Sequence, residues 1–264
     1  MFVLLLLVML LLWFIDMIVI EPRCFLTRHI HCVMPLRKSL IIVQFSDTHF
    51  HNKFSGKQLK KRIAAINACH PDIVIFSGDL MDHYHRAQSL RYRLPPYLRQ
   101  IQAKKAKLAV YGNHDIGGGA KYVYADMLKE SGFCLLCNQH MCFPEADLCI
   151  MGIDDPLAGY EDRTITDVRY QSCQILISHE PDIIDQLVMD NIDLTISGHT
   201  HGGQIYLPGI TQALLPKGGR HYRKGCYVHH GHVLYVSSGW GMTRIPLRLA
   251  NPPEIIVYHL HPRS

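Results

Sequence analysis

The 264-residue sequence contains no internal repeat, no low-complexity tract and no linker-like Gly/Ser stretch. A repeat architecture is thereby excluded, and one large domain or at most two small ones remain. Charged residues are sparse (19%) beside hydrophobic ones (48%), so the chain is not intrinsically disordered. Paired cysteine spacing is also missing. The nine cysteines are odd in number, and a domain of this size needs no disulfide scaffold. Reduced thiols in a reducing compartment are the simpler expectation. No Lys or Arg precedes the first apolar run, and neither a small-x-small cleavage site nor a twin-Arg pair accompanies it, which argues against a secretory signal. Acidic residues are absent from His83 to His114, where Arg86, Arg91, Arg93, Arg99, Lys104, Lys105 and Lys107 accumulate.

What is present begins with that apolar run, Met1 to Ile20, interrupted once by Asp16. About 20 helical residues span a hydrocarbon core of roughly 30 Å. Asp16 falls near the C-terminal end, where a carboxylate can reach the interface. A buried core helix would keep a polar face, and this one has none; a helix lying in the interface without crossing is the other alternative. Arg23, Arg28, Arg37 and Lys38 follow the run, and the positive-inside bias then puts the remainder on the cytoplasmic side of an inner membrane. The expected organisation is a transmembrane or membrane-anchor helix at 1–20, a juxtamembrane connector at 21–38 and a catalytic domain at 39–264.

Within that domain, short apolar runs alternate with amphipathic segments. Strands are expected at 40–45, 72–77, 108–111, 175–178 and 194–197, and further ones at 133–143, 148–153, 225–236 and 254–260. Helices are expected near 58–69, 90–106, 121–131 and 183–190. The pattern predicts an α/β layered domain with sheets buried on their faces.

Nearly every core strand ends in residues that ligate metals. The clusters are Asp47-Thr48-His49, Gly78-Asp79, Gly112-Asn113-His114-Asp115, His179-Glu180 and Gly198-His199-Thr200-His201-Gly202-Gly203. One Gly-Asp or Asp-x-His alone is more often a turn or a satisfied polar pair. Five clusters at strand ends converge on one sheet edge, where loops carry function without disturbing packing. Two divalent metals about 3.5–4 Å apart suit phosphoryl chemistry. Asp79 is the natural bridging carboxylate; Asp47 with His49, and His199 with His201, are spaced to turn towards a shared ion. This mixed N/O set suits Mn²⁺, with Fe or Zn²⁺ as alternatives, better than Ca²⁺ or Mg²⁺ alone.

The order D-x-H…GD…GNHD…H…GHTH resembles the calcineurin-like metallophosphoesterases from about residue 40 onwards. The resemblance implies a four-layer α/β/β/α sandwich. It implies one metal held by Asp47, His49, Asp79 and His201, and the other by Asp79, Asn113, His179 and His199. It also implies in-line attack on phosphorus by a metal-bridging hydroxide. His114 would stabilise phosphoryl charge or protonate the leaving oxygen, with Asp115 orienting its ring. The HTHGGQI stretch from His199, Leu207-Pro208-Gly209, Ile245-Pro246-Leu247-Arg248 and Pro252-Pro253-Glu254-Ile255 are similar to the membrane-associated YaeI/YkuE-type subgroup. That subgroup includes phosphodiesterases and a UDP-2,3-diacylglucosamine pyrophosphatase of lipid A synthesis.

The substrate expectation follows from context. A membrane anchor beside basic segments favours a phosphodiester or pyrophosphate that is lipid-linked or nucleotide-containing; nucleic acid is disfavoured by the tether, and no protein partner is indicated. The stretch 83–107 is expected either as a solvated basic face or, through Leu90, Tyr92, Leu94, Tyr97 and Leu98, as a wall for an acyl-bearing substrate. Lys217 to Lys224 forms a second basic loop. Cys134, Cys137, His140 and Cys142 are close enough for a structural zinc but fit ordinary strands better. His229, His230 and His232 are expected in a strand or turn. A non-catalytic metal-binding scaffold is the competing class, and it predicts lost ligands where this chain has them all.

Overall fold

In a computed structural model of the chain, residues 1–229, 231–243 and 245–263 are described; His230 and Ser264 lie outside them. The apolar run, free of Gly and Pro, forms helix α1 (Phe2–Ile15), none of whose residues is buried. The helical path widens at Asp16–Ile20 and tightens to a 3₁₀ turn at Glu21–Arg23. Its foot is fastened to the rest of the chain. The Met17 carbonyl accepts from Arg248 N (3.1 Å), and the Glu21 carboxylate accepts the backbone N–H of Ala250 (2.8 Å) and of Asn251.

The chain continues through β1 (Leu26–Met34), β2 (Leu40–Phe45), α2 (Gly56–Ala68) and β3 (Ile73–Phe76). The single turns α3 (Leu90–Arg93) and α4 (Pro95–Leu98) lead to β4 (Ala106–Ala109), α5 (Asn113–Gly117), α6 (Lys121–Glu130) and β5 (Cys134–Leu135). Then come β6 (Gln139–Phe143), β7 (Leu148–Gly152), β8 (Cys173–Ile177), β9 (Leu194–Ser197), α7 (Thr211–Leu214), β10 (Gly225–His229), β11 (His232–Val236) and β12 (Glu254–Pro262). Two six-stranded sheets result, in the orders β1-β12-β2-β3-β4-β5 and β10-β11-β9-β8-β7-β6. Strands β2, β3, β4 and β5 are parallel in the first, and β11, β9, β8 and β7 in the second.

The sheets pack face to face. Ile42, Ile73, Ile75 and Leu108 of one meet Ile150, Ile175, Ile177 and Ile196 of the other in a single buried cluster. The outer face of the first sheet (Val43, Phe45, Val74, Phe76) is covered by helices. Among these, α2 is started by Ser55, whose Oγ accepts from Gln58 N (3.3 Å), and it buries Leu59, Ile63 and Ile66 along one stripe. The outer face of the second sheet is covered differently. Met151 and Leu176 meet Ile165 and Ile183, which lie on the 3₁₀ turns Arg163–Thr166 and Pro181–Gln186. The four layers hold, but the fourth is built of 3₁₀ turns and loops.

Three elements depart from their sequence expectation for identifiable reasons. The helix expected over 90–106 is broken into α3 and α4 by Pro95 and Pro96, which remove backbone donors. The helix expected at 183–190 is the 3₁₀ turn Pro181–Gln186. It is held short because the Asp182 carboxylate accepts the backbone N–H groups of Arg220 (2.7 Å) and His221 (3.0 Å). The apolar run 133–143 is two strands in different sheets, parted where Asn138 takes a left-handed backbone (φ 50°). Strand β1, within the segment expected as a connector, pairs in parallel with β12.

The expectation of reduced thiols fails at one pair. Cys142 and Cys149 stand directly opposite on β6 and β7 and form a disulfide, a pairing set by strand register that linear spacing does not display. The other seven cysteines are free. No zinc cluster forms at 134–142 among the described residues: Cys142 is committed, Cys134 is exposed, and His140 stacks on Tyr170 (3.9 Å between centroids).

Candidate metal centre

Five strands deliver the ligand-type residues. Asp47 and His49 follow β2, Asp79 follows β3, Asn113 opens α5 after β4, His179 follows β8, and His199 and His201 follow β9. These strands belong to two sheets, and their carboxyl ends meet at one edge. A buried hydrogen-bond bridge registers the sheets there: Gln44 Nε2 donates to Ser77 Oγ and to the Ser197 carbonyl (both 2.9 Å), and Gln44 Oε1 accepts from Tyr258 (2.7 Å).

The local backbone is strained where it carries donors. Asp47 (φ 52°), His49 (43°), Asp79 (61°), His199 (72°) and His201 (51°) all occupy the left-handed region, which side chains other than glycine seldom adopt. Close approach adds a demand for glycine. A Cβ on Gly78, itself at φ 94°, would lie 2.7 Å from His179 Nδ1 and 2.8 Å from Gly112 N.

The donor atoms face one another. His201 Nε2 is 2.9 Å from His49 Nε2 and 3.6 Å from Asp47 Oδ1. Asp79 Oδ2 is 3.4 Å from His49 Nε2 and 3.2 Å from His179 Nε2. Asp47 also accepts His199 N at 3.0 Å, across the two sheets. Donor sets within 4.8 Å of one another are Asp47, His49 and His201; Asp47, Asp79 and His179; His179, Glu180 and His199; and His49, Asp79 and His114.

Several observations show that these residues fit divalent cations. Asn113 Oδ1 is buried without a hydrogen-bond partner among the described residues, a costly state unless an ion takes up its lone pairs. Tautomers are set from behind. His179 Nδ1 lies 2.6 Å from the Ser77 carbonyl and His199 Nε2 2.8 Å from the Lys217 carbonyl. A carbonyl only accepts, so each ring donates outward and turns its other nitrogen inward. Burial pushes His199 down to about 3, and burial with His49 and Arg248 drives His201 well below its ordinary range, which keeps both rings neutral as ligation requires.

The two central carboxylates are driven apart. Burial raises Asp47. Burial would raise Asp79 too, but the facing His179, His49 and His114 outweigh it and hold that carboxyl well below its usual range. His179 goes up in return: burial opposes its charge, and Asp79 and Glu180 override burial.

His114 is partly exposed at the cleft. Its Nδ1 lies 3.0 Å from the Asp82 carbonyl and 3.2 Å from Asp82 Oδ1. Burial would lower its pKa, but Asp82 and Asp79 raise it to about 9. Asp115 does not orient this ring, contrary to expectation. Its carboxylate accepts the backbone N–H groups of Asp79 (2.8 Å), Leu80 (2.9 Å) and Gly112 (3.0 Å), tying the β3 loop to the β4 loop. Burial and the nearby Asp79 push it up to about 7. Asp82 is one residue that sequence reasoning missed. Its signal was the spacing Asp79-x-x-Asp82, with His114 on the next strand loop.

Two others were missed. Glu180 is buried, with both carboxyl oxygens unpaired among the described residues and Oε1 3.9 Å from His199 Nδ1; its adjacency to His179 was the available clue. Arg248 is fully buried, donating to the carbonyls of Asn251 (2.8 Å), Ser238 (3.0 Å) and Gly241 (2.5 Å). It clamps the loop whose Gly241 N donates to the Asp47 carbonyl (2.7 Å).

The basic stretches divide. Arg91 pairs with Glu130, Arg99 donates to the Glu130 carbonyl, Lys104 and Lys105 pair with Asp72 and Glu145, and Lys107 donates to the Ser131 carbonyl. Leu90, Leu94 and Leu98 are in the core, so this stretch is structural and not an acyl wall. From the second loop, Lys217 and Arg220 line a cleft of about 610 Å³ together with Asp79, Asn113, His114 and His199. His232 is buried against Thr195 Oγ1 (2.9 Å) and the Ile192 carbonyl (3.0 Å).

The comparisons with known proteins agree with this geometry. The family model described as calcineurin-like phosphoesterase matches residues 40–203. The chain is 38% identical over 224 residues to the uncharacterized metallophosphoesterase YkuE of Bacillus subtilis, covering 83% of this chain and 78% of that protein. It is 30% identical to YkoQ, an uncharacterized metallophosphoesterase of the same organism, over 86% of each. A transmembrane protein with metallophosphoesterase domain from Danio rerio is 28% identical over 82% of this chain and 52% of its own length. The chain belongs to the calcineurin-like phosphoesterase family and is a metal-dependent phosphoester hydrolase.

Proposed function

We propose that this protein is a membrane-anchored phosphoesterase that holds two divalent cations and hydrolyses a phosphodiester or pyrophosphate bond of a lipid-linked substrate. The observation that carries the reading is the convergence of buried, inward-turned donors from two sheets on a cleft with basic residues at its side. In this reading Asp79 would be shared by the two cations, Asp47, His49 and His201 would hold one with it, and Asn113, His179 and His199 the other. The mixed N/O set suits Mn²⁺, with Fe or Zn²⁺ as alternatives. Bound cations lower the pKa of water and neutralise charge on the attacking and leaving oxygens.

The chain's own residues do the rest. His114, held at Nδ1 by the Asp82 carbonyl (3.0 Å) and carboxylate (3.2 Å), would donate a proton to the leaving oxygen or hydrogen-bond the phosphoryl group. Asp82 positions that ring, and Asp115 holds the loop that presents Asp79. Lys217 and Arg220 receive a further phosphate or headgroup, which favours a nucleotide-linked lipid pyrophosphate as the second form of the reading.

In this reading helix α1 and the turn after it are the anchor, and the positive-inside bias of Arg23, Arg28, Arg37 and Lys38 argues for the cytoplasmic face. Purified full-length protein with Mn²⁺ should hydrolyse bis-p-nitrophenyl phosphate, and Asp79→Ala should not. Equal inactivity of both on every phosphoester tried sinks the reading. A reporter fused after the last residue that reads as external overturns the orientation.

A further inference from the structure

We propose that the segment Leu207–Leu214, together with Ile245, seats in the surface of the bilayer and forms an apolar lip through which the metal cleft takes an amphiphilic phosphoester. The membrane side of this inference rests on the anchoring proposed above.

Four aliphatic side chains stand in water here without need: Leu207 (38% exposed), Ile210 (55%), Leu214 (77%) and Ile245 (54%). All four line the cleft of about 610 Å³ that Asp79, Asn113 and His199 also line. The cleft is therefore amphiphilic, with ligand-type residues and aliphatic side chains in one lining. Lys217 and Arg220 stand on the same cleft, where anionic headgroups would be drawn. An exposed apolar patch rimmed by basic residues marks an interaction site.

The lip is tied to the ligand-bearing loop. Thr211 Oγ1 accepts Leu207 N (2.7 Å) and lies 2.9 Å from the Ile205 carbonyl, two residues beyond Gly203. It is also beside the foot of the anchor. Tyr206 N donates to the Leu249 carbonyl (2.9 Å), and the neighbouring Arg248 N donates to the Met17 carbonyl (3.1 Å). A second cavity, of about 690 Å³, is lined by Ile18 and Pro22 of the helix foot and shares Thr243 and Ile245 with the first. The helix foot is the level at which a spanning segment leaves the hydrocarbon, so the lip lies at the membrane surface. The occupant of this apolar face is accordingly the acyl region of the bilayer, and not a soluble protein or a second copy of the chain.

The test uses the full chain, reconstituted in phosphatidylcholine vesicles with or without dibrominated acyl chains, which quench nearby indoles. Trp13→Phe removes the tryptophan of α1 and leaves the buried Trp240. On that background Leu214→Trp should be strongly quenched. Val33→Trp, exposed at the far end of β1 and about 25 Å along the strand from the helix foot, should not. Independently, Ile210→Asp should lower the ratio of kcat/KM for hexadecyl p-nitrophenyl phosphate over methyl p-nitrophenyl phosphate about tenfold. Equal emission of Leu214→Trp in both vesicle types, as docking of a soluble protein or of a second copy would give, overturns the lip, as does an unchanged ratio. A quenched indole with no hydrolysis of the methyl diester would leave the lip standing and remove the phosphoesterase reading instead.

Discussion

His114 and Asp82 form a pair in which one residue supplies two oxygens to one ring nitrogen: Nδ1 of His114 lies 3.0 Å from the Asp82 carbonyl and 3.2 Å from its carboxylate. Nδ1–H is thereby held by Asp82, which leaves Nε2 for the cleft. Asp82→Asn keeps the shape and the carbonyl contact but removes the charge. It should lower kcat about 10- to 100-fold, with little change in KM, as measured on bis-p-nitrophenyl phosphate.

The same pair predicts a pH dependence in protein stripped of metal. The folded-state pKa of His114 is raised to about 9, above the unfolded value of roughly 6.5. Its stabilising contribution is then fully present below about 6.5 and is lost as pH rises through about 9. NMR titration of the imidazole should show the raised midpoint, and Asp82→Asn should bring it down. An unshifted His114 resonance in the variant would remove Asp82 as the cause.

Asp79→Ala should abolish the shared carboxylate between the two donor groups. Activity is expected to fall at least about a hundredfold, and bound metal, counted by elemental analysis, should drop. Chelation of the wild-type protein should lower its melting temperature, since ions that bind only the folded state stabilise it. The chelator effect should be smaller in the variant.

Gly78→Ala tests the close approach of the loops. The added methyl would meet His179 Nδ1 and Gly112 N at a backbone angle of φ 94°. A loss of about 1–3 kcal/mol in denaturant unfolding is expected, together with weaker metal binding.

Gln44→Leu tests the bridge between the sheets. It leaves the Tyr258 hydroxyl without its partner, while the Ser197 carbonyl keeps the Ser237 N–H (2.9 Å). An unsatisfied buried group costs about 1–3 kcal/mol, so destabilisation of about that size is expected by chemical denaturation. Metal affinity should weaken as well, because the same bridge registers Asp47 against His199.

The sequence by itself determined the family, the alternation of strands and helices, and the places where ligand-type residues follow a strand. Those are local properties: apolar runs of strand length, caps and breakers, and ligand types placed directly after them. The strand at 194–197 and its histidines could be read to the residue. Only the tertiary structure decided the partners of those residues. That Asp82 and not Asp115 faces the His114 ring depends on how two parallel strands lie side by side, and adjacency in sequence pointed to the wrong carboxylate. The Cys142–Cys149 disulfide depends on the antiparallel register of β6 and β7, and the basic stretch 91–107 became structural once its carboxylate and carbonyl partners were brought near. The same holds for the apolar lip. Its leucines and isoleucines carry no periodic signal, and their meaning comes from standing exposed on the metal cleft beside the helix foot. Chemistry-bearing residue types are written along the chain, but contacts between distant segments are set by sheet order and register, which linear spacing does not encode.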